Sequence, residues 1–239
     1  VIAPGYVTPW AAPGMPSKVA RFLLSDHAPV RVSLPLSAAD IAWMWRWYRS
    51  TDLATYTANR TRMQRLAFYS RTRLHEITEH FNLEYDRSTG YMVMLRGEKD
   101  RKIVQPGLQV LRDAGVTFHE VDAEQARKIE PAINTDTPFV GAIHLPQDEV
   151  GNCRQFALLL KNECQTRGVR FEFNSTVAPL SPSTPGSLQV TGADGQATQW
   201  NFNAVVVCGG VDSARLLAPV GIGIPLAPVW GYSISAPIR

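Results

Sequence analysis

Apolar positions recur with a helical period over much of the first two thirds of the chain. Between residues 53 and 81 they lie three or four residues apart, or a multiple of those steps, which predicts one face of a long amphipathic helix. The positions of that face are Met63, Leu66, Leu74, Ile77 and Phe81. Period and cap residues also predict helices over 17–24, 37–50, 98–114 and 153–167, and strands over 91–95, 116–121 and 138–146.

The last third of the chain has the pattern of strands. Residues 169–177 alternate between apolar and polar, which predicts a half-buried strand. The turn signal at 193–196 joins strands over 187–192 and 197–202 into a hairpin. The run 204–208 is continuously apolar and too short for a helix, so we predict a buried strand of a parallel sheet there.

These elements define the fold class. A helix over 212–218 follows the apolar run, and the order of elements predicts an α/β fold with α+β mixed character in the middle. We place a lobe boundary near residue 150. Pro106 lies inside the 98–114 helix and should kink that helix or restart it near Gln105.

Composition and charge exclude several classes of protein. Of the 239 residues 45% are hydrophobic, enough for a substantial core, and a net charge of +3 gives no nucleic-acid footprint. Arginines bunch at 60, 62, 65, 71 and 73, which we interpret as a solvated helix face. Three cysteines without disulfide or metal spacing favour a reducing, cytoplasmic setting, and no spanning helix or signal peptide is visible.

The two ends of the chain look like cuts within a longer protein. The sequence begins at Val1 without an initiator Met, on a Pro- and Gly-rich segment that runs to residue 35. It ends at 233–239 on a segment that has the pattern of a strand. We therefore expect further residues on both sides.

Known catalytic and nucleotide-binding motifs are scarce in the chain. Neither GxGxxG nor GxxxxGK[ST] occurs, so the usual anchor for a dinucleotide pyrophosphate is not among these residues. Gly209 and Gly210 follow the apolar run, where they either admit a phosphate or sugar close to the backbone or form a packing turn, and both interpretations stay open. The five histidines lack the spacing of metal ligands. The GxSxG motif of serine hydrolases does not occur, so that class is disfavoured.

Two clusters have both a structural and a functional interpretation. Asp148 and Glu149 form a carboxylate pair suited to acid–base work, although a solvated turn before the helix cap Asn152 is the favoured interpretation. An aromatic cluster in the 37–50 helix either packs between lobes or docks on a partner or a membrane surface. Its members are Trp43, Met44, Trp45, Trp47 and Tyr48.

Four stretches of the chain together resemble the small-subunit-type D-amino acid dehydrogenases, within the D-amino acid oxidase-like flavoproteins. The stretches are PGY running on to PWAAPG in 4–14, LP with DE and GNC in 145–153, FN at 173–174 with Val177, and GYS at 231–233 after Pro228. The resemblance implies FAD as the cofactor, with the GxGxxG element before Val1 and a second flavin-contacting segment after Arg239.

The resemblance also implies roles for particular residues, without assigning a catalytic one. Tyr56 and Tyr232 are the candidates for holding a substrate carboxylate. The cofactor-binding set consists of the flavin-lining loop Pro4, Gly5 and Tyr6, the adenine contact Val177, and the strand end Cys208, Gly209 and Gly210.

The resemblance further implies a division into four segments. They are a flavin-facing loop segment at 1–34, a substrate lobe at 35–150, a partial FAD-binding lobe at 151–222 and a strand returning to the substrate lobe at 223–239.

The implied reaction is oxidative deamination of a D-amino acid, in which a hydride leaves Cα for FAD and water yields a 2-oxo acid and ammonia. Electrons then pass to a membrane acceptor, which implies a cytoplasmic protein or one peripheral on the inner membrane. One alternative is a related flavoprotein acting on glycine, sarcosine or D-proline-type amines. Another is a folded piece that only binds or interacts. Side-chain preference and oligomeric state stay open.

Overall fold

A computed structural model describes residues 3–23, 32, 34–184 and 186–231, and these residues fall into two compact units. One unit takes residues 3–15 and 51–168, and the other takes the described residues of 16–50 and 169–231. The strand-like segment at 233–239 and Tyr232 lie outside the described residues. The four predicted segments stay a prediction.

The described chain contains both helices and strands, so the predicted mixed class is confirmed. The helices are α1 Met15–Leu23, α2 Ala38–Arg49, α3 Leu53–Phe81, α4 Glu98–Asp113, α5 Ala123–Ile129, α6 Cys153–Thr166 and α7 Ser213–Leu217. The strands are β1 Ser88–Leu95, β2 His119–Val121, β3 Gly141–Val150, β4 Thr176–Val177, β5 Ser187–Thr191 and β6 Ala197–Asn201. Short 3-10 turns cover Pro4–Tyr6, Gly210–Asp212 and Ala218–Val220.

The first unit is built on an antiparallel sheet with the strand order β1-β3-β2. Side chains from β1, β3 and α4 form its main core, which consists of Leu95, Leu108, Leu111, Ile143 and Leu145. Helix α4 runs through Pro106 as one continuous helix, so of the two predicted outcomes the restart near Gln105 is wrong, and the kink stays a prediction. Helix α6 begins after the predicted cap Asn152, which accepts the Gln155 N–H at 3.1 Å.

Two predicted apolar faces of this unit are wrong in part. No residue of α6 is buried, and its first residue Cys153 is exposed, because neighbouring elements cover the helix only partly. On α3, Met63 and Leu66 of the predicted apolar face are exposed. The buried residues of that helix are instead polar, namely Arg60, Gln64 and Thr78.

The second unit contains the antiparallel sheet β4-β5-β6, and the predicted β5–β6 hairpin is confirmed. The predicted strand 169–177 is wrong except at Thr176–Val177, since no described strand lies beside its first residues. Phe171 and Phe173 are exposed there and stack on each other at 5.8 Å between ring centroids.

The apolar run 204–208 also differs from its prediction. It forms no strand, and Val206 is 84% exposed. A strand buried on both faces needs neighbours that supply hydrogen bonds and packing, and no described strand lies beside this run. The prediction of a buried strand therefore fails for the structure as described.

Candidate functional site

A bulge in β3 positions the first acidic side chain of the site. β3 pairs with β1 at Leu145–Tyr91 and again at Glu149–Thr89, so residues 146–148 lie opposite a single residue, Gly90. A bulge of this kind frees backbone groups from the ladder and redirects side chains. The carbonyl of Gln147 accepts a hydrogen bond from Arg71 Nη1 at 2.9 Å.

Asp148 and Glu149 are buried, with exposures of 2% and 7%, so the favoured interpretation of a solvated turn is wrong. The two carboxyl groups have different partners. Glu149 Oε2 lies 2.9 Å from His75 Nε2, and Asp148 Oδ1 accepts the Gly5 N–H at 3.1 Å. Asp148 Oδ2 is buried and has no hydrogen-bond partner among the described residues.

Burial raises the pKa of Asp148 above its ordinary value of 3.8. The hydrogen bond from the Gly5 N–H and the positive charge of Arg71 act in the opposite direction and are smaller effects. Desolvation disfavours the charged form of a carboxyl group, and here it outweighs both favourable partners. Asp148 therefore binds a proton more tightly than a solvated carboxylate does.

This pKa gives a pH dependence that can be measured. Between the ordinary and the raised pKa, the native state holds a proton that the unfolded chain has released, so the contribution of Asp148 to the free energy of unfolding falls as pH rises. We expect the free energy of unfolding of Asp148→Asn, relative to that of the unmodified chain, to increase as the pH rises from 4 to 7. Urea unfolding at the two pH values measures this, and an identical stability difference at both would contradict the expectation.

The loop Pro4–Tyr6 contacts the same region. Pro4 and Gly5 are buried, and the Pro4 carbonyl oxygen lies 3.4 Å from Gln64 Nε2 on α3. Two buried polar side chains distant in sequence thus bind consecutive residues of this turn. The structure brings Pro4 and Gly5 of the predicted cofactor set together with Asp148.

The side of α3 that makes these contacts carries a row of polar side chains. We call this row the polar face of α3; it consists of Arg60, Gln64, Arg71, His75 and Thr78. Their spacings of four, seven, four and three residues place them along one side of an α-helix. Apolar periodicity could not reveal this face, whereas the period of its polar residues could have done so.

Arg60 is the most deeply buried cation of this face. It is 5% exposed, its Nε is buried without a hydrogen-bond partner among the described residues, and its Nη1 lies 3.4 Å from the Tyr56 hydroxyl. Among the described residues no carboxylate lies within ion-pair distance of it. The predicted solvated arginine face is thus wrong for Arg60. The half-buried Tyr56, predicted to hold a substrate, lies beside this guanidinium.

The remaining predicted cofactor contacts belong to the other unit. Val177 is half-buried in β4, and Cys208, Gly209 and Gly210 are exposed after the apolar run. Gly210 has a φ of +56° and begins the short 3-10 turn Gly210–Asp212. Their roles stay a prediction.

Comparison with known proteins identifies the class. The model of the family described as DAO, FAD dependent oxidoreductase, matches residues 32–239, and the chain belongs to this family. Curated relatives include a D-amino acid dehydrogenase of Bradyrhizobium diazoefficiens, 35% identical over all of this chain and 56% of the relative. Another, from Rhizorhabdus wittichii, is 36% identical over 99% of this chain and 57% of that relative. The chain therefore spans little more than half the length of these relatives.

A solved structure shares the fold. Glycine oxidase from Geobacillus kaustophilus aligns with a TM-score of 0.57 and 20% identity, over 67% of this chain and 43% of that chain. At this identity the likeness concerns the fold alone.

Proposed function

We propose that this chain is part of an FAD-dependent D-amino acid dehydrogenase, which oxidises D-amino acids to 2-oxo acids with release of ammonia. The proposal is supported by the family and by the names of the curated relatives. The observation that carries it is the buried guanidinium of Arg60, which no carboxylate of the described residues neutralises. An amino acid substrate brings such a carboxylate.

The chemistry of Arg60 favours this role. An isolated charge taken out of water is costly, so a buried guanidinium normally has an anionic partner. Guanidinium binds a planar carboxylate through two parallel N–H donors, and we propose that the Tyr56 hydroxyl, 3.4 Å from Arg60 Nη1, adds a third. Gln64, one turn further along α3, contacts Pro4, so the proposed carboxylate site adjoins the proposed flavin-lining loop. We propose Tyr232 as a further hydroxyl donor.

The described residues fit the cofactor that the family uses. A Cβ on Gly210 would meet no atom within 4 Å, and Cys208 and Gly209 are also exposed residues, which supports close approach of a nucleotide to this segment. We propose that these three residues and Val177 hold the nucleotide part, and that Pro4, Gly5 and Tyr6 line the flavin. Since GxGxxG does not occur here, we propose that the pyrophosphate is bound by residues beyond these 239.

The protein's own contribution is to orient the substrate. When bound, FAD accepts the hydride and so supplies the oxidation. Arg60 and Tyr56 would fix the substrate carboxylate and thereby direct Cα and its hydrogen, and fixing a reacting group in this way lowers the entropic part of the barrier.

We also propose that electrons leave through a membrane acceptor and that the protein is peripheral on the inner membrane. No described helix is long and apolar enough to cross a bilayer. Helix α2 instead exposes Ile41, Trp45 and Tyr48, at 57%, 60% and 54%, and the last two rings stack at 5.7 Å. Exposed aromatic rings of this kind favour the interface of a membrane.

Replacing the guanidinium tests the proposal. In the longer protein we expect Arg60→Met to raise KM for D-alanine about 10- to 100-fold, because a hydrogen bond to a charged group contributes about 1.5–3 kcal/mol. We expect the free energy of unfolding to stay equal or to rise, because an unpaired buried charge is replaced by an apolar side chain. The control is Arg62→Met, an exposed arginine two residues along the same helix. An unchanged KM would contradict the role of Arg60.

The reaction itself is tested on the unmodified longer protein with a panel of substrates and a dye as electron acceptor. Activity with D-alanine supports the proposal, whereas activity confined to glycine, sarcosine or D-proline would replace it with the related amine-oxidising function. A protein that takes up no FAD would contradict both. The 239-residue chain alone is expected to bind FAD weakly or not at all, as followed by flavin fluorescence.

A further inference from the structure

The N–H of Gly5 in the turn Pro4–Tyr6 is bound by a buried carboxyl group of β3. Asp148 lies 143 residues away in the sequence, and its Oδ1 accepts the Gly5 N–H at 3.1 Å. The approach is close, because a Cβ on Gly5 would overlap Leu145 Cδ2 and lie 3.0 Å from Asp148 Oδ2. Asp148 thus determines where the peptide group of Gly5 lies.

Stability alone does not explain a carboxyl group at this position. Asp148 is 2% exposed and no group in the part of the chain that the structure describes bonds to its Oδ2, so part of its desolvation is uncompensated there. Arg71, whose positive charge acts on Asp148, donates its hydrogen bond to the backbone carbonyl of Gln147, and the adjacent Glu149 bonds to His75. Buried polar groups are nearly always satisfied in native proteins, so an exception at this position calls for an explanation other than stability.

We propose that Asp148 is a positioning residue for the flavin-lining loop: by accepting the Gly5 N–H from the bulge of β3, its carboxyl group holds the Pro4–Tyr6 turn in the conformation that faces the cofactor. This inference rests on the proposed function. Asp148 acts through the backbone of Gly5 and does not itself touch the reacting atoms. The bulge connects the loop to the sheet, because it frees residues 146–148 from pairing with β1.

The test compares two substitutions of similar shape. Asp148→Asn keeps an oxygen that accepts the Gly5 N–H, and Asp148→Leu fills the same volume without an acceptor. The control is Asp113→Asn, at an exposed position at the end of α4. The longer protein with bound FAD gives kcat, KM for D-alanine and the visible absorption spectrum of the flavin. Hydrogen exchange of the Gly5 amide, measured on the 239-residue chain, reports the loop directly.

We expect Asp148→Leu to speed exchange of the Gly5 amide about tenfold, the effect of losing one hydrogen bond. We expect it to lower kcat about 10- to 100-fold by misplacing the reacting groups, with a shifted flavin spectrum and a KM within about threefold of the unmodified value. In Asp148→Asn we expect the exchange rate of the Gly5 amide, kcat and KM to lie within about threefold of the unmodified values, with an unshifted flavin spectrum.

Two outcomes would overturn the inference while leaving the proposed function intact. In the first, Asp148→Leu speeds exchange at Gly5 but leaves kcat and the flavin spectrum unchanged, which is a structural role only. In the second, Asp148→Asn loses as much kcat as Asp148→Leu, which would show that the hydrogen bond accepted from Gly5 does not determine catalysis. If the unmodified longer protein binds no FAD, both the proposed function and this inference are contradicted. That result is obtained before any substitution is made, so it is distinguishable from the two outcomes above.

Discussion

Leu145→Ala is expected to lower the free energy of unfolding by about 2–5 kcal/mol, the usual cost of removing a buried leucine side chain. Leu145 is 1% exposed and belongs to the main core of the first unit. It also supports the turn that carries Gly5. The loss combines the transfer free energy of the removed atoms with the cavity that they leave.

Urea unfolding of the two proteins measures this loss. The control is Leu158→Ala on α6, where the side chain is 42% exposed, and we expect a change within about 0.5 kcal/mol there. Losses of equal size at the two positions would show that Leu145 is not a core residue.

Gly5→Ala is expected to cost about 1–3 kcal/mol, because an added methyl group has no room. The Cβ would overlap Leu145 Cδ2 and lie 3.1 Å from Val116 Cγ1. The control is Gly107→Ala, inside α4, where a Cβ meets no atom within 4 Å. That substitution should stabilise the protein by about 0.5–1 kcal/mol, because alanine favours a helix over glycine.

A double-mutant cycle distinguishes overlap from a backbone effect. If Leu145 is the main obstacle, the cost of Gly5→Ala should shrink when Leu145→Ala is already present, with a coupling of about 0.5–3 kcal/mol. Additive costs would assign the effect of Gly5→Ala to the backbone or to Asp148 instead.

Local signals in the sequence predicted much of the secondary structure. Helix α3 has the predicted bounds 53–81, and α6 begins after its predicted cap Asn152. The β5–β6 hairpin follows its turn signal. In each case a few neighbouring residues determine the element, through caps, turn residues and apolar period.

The burial of the site's carboxyl groups depends on contacts that no local pattern encodes. Asp148 and Glu149 resemble a solvated turn in the sequence, and only the pairing of β3 with β1 and the approach of Gly5 bury them. Arg60 lies in an arginine-rich stretch, where exposure is the usual outcome. Which of these arginines is buried depends on the side of α3 that faces the rest of its unit.

The exposed apolar run 204–208 bears on how this chain behaves at high concentration. The run is rich in β-branched residues, carries no charge and forms no strand in the described structure. Such a segment is a template for intermolecular β-pairing, because its backbone donors and acceptors can be satisfied by the same segment of a second molecule. We therefore expect the colloidal stability of the isolated chain to depend on this run, and a charged residue in place of Val206 to act as a gatekeeper against aggregation.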